Sequence, residues 1–177
     1  MRRAGALAVL ACAGCLSTQI NSAQSPAADF SRLRTWSWYE FPASDQPKGI
    51  SVDQETLRHI RGVVESELAA KGYPKAGSEA PDFLVSTVAV IGRSLDAQTG
   101  SSTLGYGWGH SYMVGTGETM SFDAGTLLID VLDARSRELL WRGSATGAVD
   151  PERPPEKREA RIKEVVHDVM ERFPPRK

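Results

Sequence analysis

The chain has 177 residues, 41% of them hydrophobic and 24% charged, which is the make-up of one globular domain able to bury its own core. Its 21 basic and 22 acidic side chains give a formal net charge of −1, and removing residues 1–14 leaves 19 basic against 22 acidic. Such a balance implies no basic face, so nucleic acid is not an expected partner.

The chain opens "RRAGALAVLACAGCLS" over residues 2–17. Arg2 and Arg3 form a positive start, Ala4 to Ala11 is apolar, and the small residues Ala13 and Gly14 precede Cys15. A positive end, a short apolar run and a small-residue exit describe an export signal. The run is far below the roughly 20 residues that span a bilayer as a helix. Cys12 and Cys15 are the chain's two cysteines and both lie in this leader, so the body has no cysteine chemistry. The stretch resembles a bacterial lipoprotein signal, in which cleavage leaves an acylated cysteine as the new N-terminus. "CAGC" places two small residues before Cys15, the preferred attachment residue, and "VLAC" makes Cys12 the alternative. An ordinary cleaved signal with incidental cysteines is the plain alternative. Several acyl chains together make a stable membrane anchor, because each buried methylene adds about 0.8 kcal/mol.

Expected organisation is therefore a signal peptide over 1–14, a flexible tether over 15–29 and one domain over 30–177. Residues 16–29, "LSTQINSAQSPAAD", are small, polar and aperiodic, which is why they read as a tether. "RTWSWYEF" (34–41) alternates around Trp36, Trp38 and Tyr39 and reads as a strand. Residues 51–73 predict a helix, with Ser51 and Gln54 as a capping box or Asp53 as an alternative cap. Leu57, Ile60, Val64 and Leu68 form its apolar stripe, Gly72 suits a left-handed terminus, and Pro74 stops it.

"PDFLVSTVAVIGR" (81–93) predicts a strand covered on both faces, with Phe83, Val85 and Ala89 on one and Leu84, Val88 and Val90 on the other. Residues 94–118 are glycine-rich, and parts of them suit hairpin arms. "GTLLIDVLDARSRELLWRGSA" (125–145) is a β-hairpin by pattern, with Leu139 and Trp141 alternating against Leu140 and Arg142. Asp133 starts its turn through side-chain to backbone bonding, and Asp130 is placed to pair across it with Arg142. Residues 155–175 predict a second helix, its apolar positions being Ile162, Val165, Val166, Val169, Met170 and Phe173. The expected fold class is α+β, a largely antiparallel sheet of four or more strands with two helices on one face, in the order β-α-β-β-β-α.

Chemistry-bearing patterns are sparse. Tyr106, Trp108, His110 and Tyr112 alternate with Gly105, Gly107 and Gly109. If extended, this strip offers an aromatic face for a sugar, a peptide or a hydrophobic partner, and it is the candidate binding surface. Its bland reading is packing of the aromatics back onto the domain. Trp36, Trp38 and Trp141 read as core or sheet-face aromatics. His59, His110 and His167 are the three histidines; no pair has metal-ligand spacing, so no metal and no cofactor are expected. No nucleophile elbow, phosphate loop or dinucleotide fingerprint is present, and no catalytic residues are assigned.

"DFSRLRTWSW" (29–38), "LAAKGYPKA" (68–76), "APDFLVS" (80–86), "GYGWGHSY" (105–112), the hairpin 125–145 and "RFPP" (172–175) together resemble the bacterial lipoprotein family known as domain of unknown function 4136. The resemblance implies a compact α+β domain on an envelope lipoprotein, with no agreed activity and no catalytic residues to carry over. It also implies the outer membrane, since the first residues after either candidate cysteine contain no aspartate. The expected function is thus a non-enzymatic lipoprotein of the cell envelope, facing the periplasm, held by acyl chains and touching other envelope proteins or the cell wall. A periplasmic binding module for a small or glycan ligand, using residues 105–112, is the alternative. An enzyme of undetected type comes third.

Overall fold

A computed structural model describes residues 18–40, 52–93, 102–105, 111–114, 123–150 and 152–174. Helix α1 (Gln54–Ala70) begins at Asp53, whose side chain accepts from the Thr56 backbone N–H at 2.8 Å. Asp53, the alternative cap of the sequence reading, is the one used. At the other end Gly72 has φ 81°, and the Tyr73 N–H returns to the Leu68 carbonyl at 2.9 Å. That bond and the one from Gly72 to Ala69 close a Schellman turn, which needs the left-handed backbone that glycine adopts without steric cost. Helix α2 (Pro155–Met170) begins on Pro155, whose fixed φ suits a first helical position. It stops at Met170, five residues short of the predicted end at 175, yet Phe173 beyond it is 1% exposed.

The strands are β1 (Gln19–Gln24), β2 (Trp36–Trp38), β3 (Phe83–Arg93), β4 (Ser102–Gly105), β5 (Ser111–Val114), β6 (Asp123–Asp133) and β7 (Leu139–Ala148). Five form one sheet in the order β1-β7-β6-β3-β2, and β4 pairs with β5. Within the large sheet β2 runs parallel to β3, and the other pairs are antiparallel. A parallel pair needs a crossover, and α1 supplies it between β2 and β3. The α+β class and the largely antiparallel sheet agree with expectation.

The leading edge strand is a correction. Residues 19–24 belong to the sheet, whereas the sequence placed all of 15–29 in a tether. β1 is polar, "QINSAQ", and mostly exposed. It is held by backbone pairing to β7 from Gln19↔Thr146 to Gln24↔Trp141, and Ile20 alone packs on the core. Backbone bonding of this kind leaves no periodic apolar signal, and polar edges are how sheets avoid further pairing.

One sheet face carries Phe83, Val85, Leu127, Ile129, Val131, Trp141 and Ala145 against Ile60, Val64 and Leu68 of α1 and Val166, Val169 and Met170 of α2. At one end of this layer Trp141, Tyr73, Phe83, Phe30 and Phe173 meet with ring centroids 5.2 to 6.3 Å apart. Trp36 closes the same end, donating its indole N–H to the Tyr73 carbonyl at 3.2 Å. Gly143 is required where α2 approaches the sheet: a Cβ there would lie 2.4 Å from the Trp141 ring and 2.5 Å from Val169.

A bulge between Val131 and Leu132 corrects the predicted phase of β7. Leu132 pairs with Leu139 but Val131 pairs with Trp141, so Leu140 is the extra residue. Leu139 and Trp141 thereby serve opposite faces: Leu139 joins Tyr39, Leu84 and Leu132, while Trp141 enters the helix-facing core.

Candidate functional site

The sheet face turned away from the helices is the first place where polar chemistry is buried. Asp130 on β6 stands directly opposite Arg142 on β7. The guanidinium grips the carboxylate with two bonds, Nε to Oδ1 and Nη2 to Oδ2, both 2.6 Å. The two side chains are 7% and 10% exposed, so the pair is buried. Burial pushes the Asp130 carboxyl above the usual carboxylate range, and the bonds and charge of Arg142 pull the other way. A cavity of about 590 Å³ borders the pair, with Tyr39, Ser86, Leu132 and Leu139 among its walls.

The rim of this cavity is the β6–β7 turn. Asp133 Oδ1 accepts from the backbone N–H groups of Arg135 and Ser136, both at 2.8 Å, as the sequence indicated. Those bonds, Ser136 first, hold the Asp133 carboxyl below its ordinary range. Arg137, at φ 62°, leans over the Tyr39 ring at 5.5 Å.

A second cavity, about 310 Å³, lies on the opposite side of the sheet, at the end far from the aromatic cluster. The N-terminal halves of α1 and α2, the end of β7 and Thr18 line it. Its arginines, Arg153, Arg158 and Arg161, come from α2 and the loop before it.

The sequence-predicted site residues are dispersed. Cys12, Cys15, Tyr106, Trp108 and His110 lie outside the described residues. Tyr112 is in β5, opposite Leu104 of β4. Gly105 of β4 pairs with Ser111 of β5 in the antiparallel ladder. Of the strip 105–112, Gly105 and Tyr112 thus lie on antiparallel partner strands, and residues 106–110 lie outside the described residues. The hairpin arms expected in this region are present.

Trp36 and Trp141 are core residues, each 1% exposed. Trp38 is half-buried and donates to Glu65 at 2.8 Å. Its bond and, first, that from Lys75 lower the Glu65 carboxyl. His167 of α2 meets Glu67 of α1 at 3.0 Å. That hydrogen bond, with the Glu67 charge, raises its pKa above the ordinary histidine value. Among the described residues no group of three or more His, Cys, Asp or Glu is placed to hold a metal.

Sequence reasoning missed the arginine-lined cavity. The available signal was Arg158 and Arg161 three residues apart with Ile162 and Val165 beside them, in a stretch read only as the wet side of a helix.

The described elements define an α+β domain: a mixed five-stranded sheet, two helices on one face, and a buried ion pair on the other. The chain belongs to the family called domain of unknown function (DUF4136), which matches residues 20–175. A solved DUF4136 family protein from Bacteroides thetaiotaomicron is similar, with TM-score 0.55, 16% identity, and coverage of 87% of this chain and 94% of that one. A PDZ domain protein from Parabacteroides distasonis gives TM-score 0.57 and 15% identity; 89% of this chain is covered, but it spans only 36% of that protein. The dodecameric PelC from Paraburkholderia phytofirmans gives TM-score 0.47 at 7% identity, covering 87% and 96%. The first two likenesses show the fold alone. No curated protein matches.

Proposed function

We propose that this protein is a bacterial cell-envelope lipoprotein, anchored to the outer membrane through acyl chains on Cys15 (Cys12 as the alternative). Its domain faces the periplasm and acts by binding or scaffolding, without catalysis. The observation that carries this reading is the leader, with its paired arginines, short apolar run and "CAGC" exit. The position of β1 refines only the geometry of such an anchor. Only residues 16–18 separate Cys15 from the strand that starts at Gln19. A chain of that length spans at most about 14 Å, so the domain would sit close against the anchoring bilayer, not at the end of a long tether.

The non-catalytic part rests on what the titratable groups do. Asp130 is saturated by Arg142, Asp133 and Asp53 hold a turn and a helix cap, and Glu65 and His167 are engaged in bonds between elements. Among the described residues each of these groups has a structural role, which supports a binding or scaffolding reading.

Labelled palmitate fed to a bacterial host expressing the chain tests the anchor. Incorporation is expected in the wild type and is lost in Cys15→Ser; absence of label in the wild type overturns the lipoprotein reading.

The two cavities favour a second reading, a soluble periplasmic binding module. A detergent-free wash separates the two: an anchored protein stays with the membranes and a soluble module is released.

A further inference from the structure

The helix-facing core is filled unevenly, and the unevenness creates a site. At one end large aromatic side chains close the space between helices and sheet. At the other the sheet presents Ala89, Gly125, Ala145, Gly147 and Ala148, and the helices cannot fill the volume above them. What remains is the cavity of about 310 Å³, within the range of small-molecule sites. Its apolar walls include Ile60, Leu127, Ile162 and Val165, and Ile91, a wall residue 46% exposed, is an uncovered large hydrophobic side chain.

The remaining wall is cationic. Arg161 donates to the Thr18 hydroxyl and pairs with Glu164 at 2.7 Å. Arg153 approaches Asp150 at 3.8 Å. Arg158 is exposed; among the described residues its guanidinium makes no hydrogen bond or close ion pair, and, after the hydrogen bonds from Thr56, its charge helps to lower the pKa of the neighbouring Asp53 carboxyl. The acids of the wall are already committed: Asp53 to Thr56, and Asp150 to the Glu152 N–H and Arg153. Both helices also begin at this end; α1 is capped there by the Asp53 carboxylate, whereas α2 has no side-chain cap, so the positive end of the α2 dipole adds to the arginines.

We propose that this cavity binds a single-chain anionic amphiphile, a fatty acid, with the hydrocarbon between the helices and the sheet and the carboxylate on Arg158. A planar guanidinium fork matches a carboxylate in geometry and charge. The apolar walls account for a hydrocarbon tail, and the three arginines account for its charged end. This inference is independent of the lipoprotein reading, because it concerns the folded domain and not the leader.

Titration of the purified full chain with cis-parinaric acid, which fluoresces in apolar surroundings, tests it. Saturable binding of one molecule per chain is expected, displaced by laurate and about tenfold less well by dodecanol, which lacks the charge. Arg158→Glu is expected to weaken binding about tenfold or more with an unchanged melting temperature. Ala89→Leu fills the cavity and is expected to abolish binding, its fold being checked by circular dichroism; Ile91→Arg at a more exposed wall position gives a second route to the same loss. No saturable binding overturns the proposal, as does equal displacement by acid and alcohol, or an Arg158→Glu chain that binds like wild type. Association with phosphatidylglycerol vesicles without uptake of the free acid also overturns it, and assigns the arginines to a membrane surface.

Discussion

Asp130 and Arg142 face each other across the β6–β7 ladder and share two 2.6 Å hydrogen bonds at a buried position. Their energetic meaning is asymmetric. A buried ion pair contributes little relative to a well-packed apolar pair, but stranding one charge costs about 3–5 kcal/mol. Arg142→Met is therefore expected to lose about that much in urea denaturation, while Asp130→Leu with Arg142→Met recovers most of it. The single variant also carries a pH signature. Burial raises the Asp130 pKa, so the folded state binds the proton more tightly than the unfolded one. That contribution is present at low pH and lost as pH rises through the folded value. Arg142→Met should accordingly be less destabilised at pH 5 than at pH 7; a pH-independent loss argues against a stranded carboxylate.

Gly143 is expected to tolerate no side chain. The Trp141 ring and Val169 leave only 2.4 and 2.5 Å for a Cβ, and both belong to the packed core. Gly143→Ala should cost about 1–3 kcal/mol through overpacking. Adding Val169→Ala removes one of the two clashes, so the double variant should lose less than the sum of the singles. Strict additivity of the two denaturation midpoints would count against this packing.

The interhelix contact between His167 and Glu67 predicts a second pH dependence of defined sign. The histidine pKa is raised in the folded chain by the Glu67 bond and charge. Its contribution to stability is fully present below the unfolded pKa, about 6.5, and is lost as pH rises through the folded value. His167→Gln should flatten the pH profile of the melting temperature in that window. The side chain is solvent-exposed, so the slope should also shrink in high salt.

Thr87 offers a stabilising change. Its hydroxyl is buried with no hydrogen-bond partner, on a residue 6% exposed. Thr87→Val keeps the shape and removes the unmet polar group, with an expected gain of about 1 kcal/mol in urea denaturation. A loss would mean that the hydroxyl is satisfied in solution.

Much of this architecture was legible because it is written in local patterns. Ile60, Val64 and Leu68 recur at helical spacing, and they are the buried side of α1. Asp133 is a turn-forming residue between two alternating runs, and it holds the β6–β7 turn. Opposite charges on the two arms suggested the match between Asp130 and Arg142, but plain counting outward from the turn sets Asp130 opposite Trp141, and the extra residue Leu140 is what brings Arg142 into place. The candidate binding strip was less legible. Gly105 and Ser111 are paired on antiparallel strands, as hairpin arms in this region would be, and residue alternation by itself does not say which residues pair.

By itself, then, the amino-acid sequence determined the two helices, the strand-rich body, the central hairpin and the family, because side-chain periodicity and turn chemistry act over a few residues. Tertiary structure alone decided the rest. β1 joins the sheet through backbone groups that every polar residue carries, β7 changes phase at Leu140 to place Trp141 in the core, and small residues distant in sequence converge beneath two helix ends to open an arginine-lined cavity. Those outcomes depend on the pairing of distant backbone segments and on the volume left between packed layers, and neither quantity is a property of any short stretch of chain.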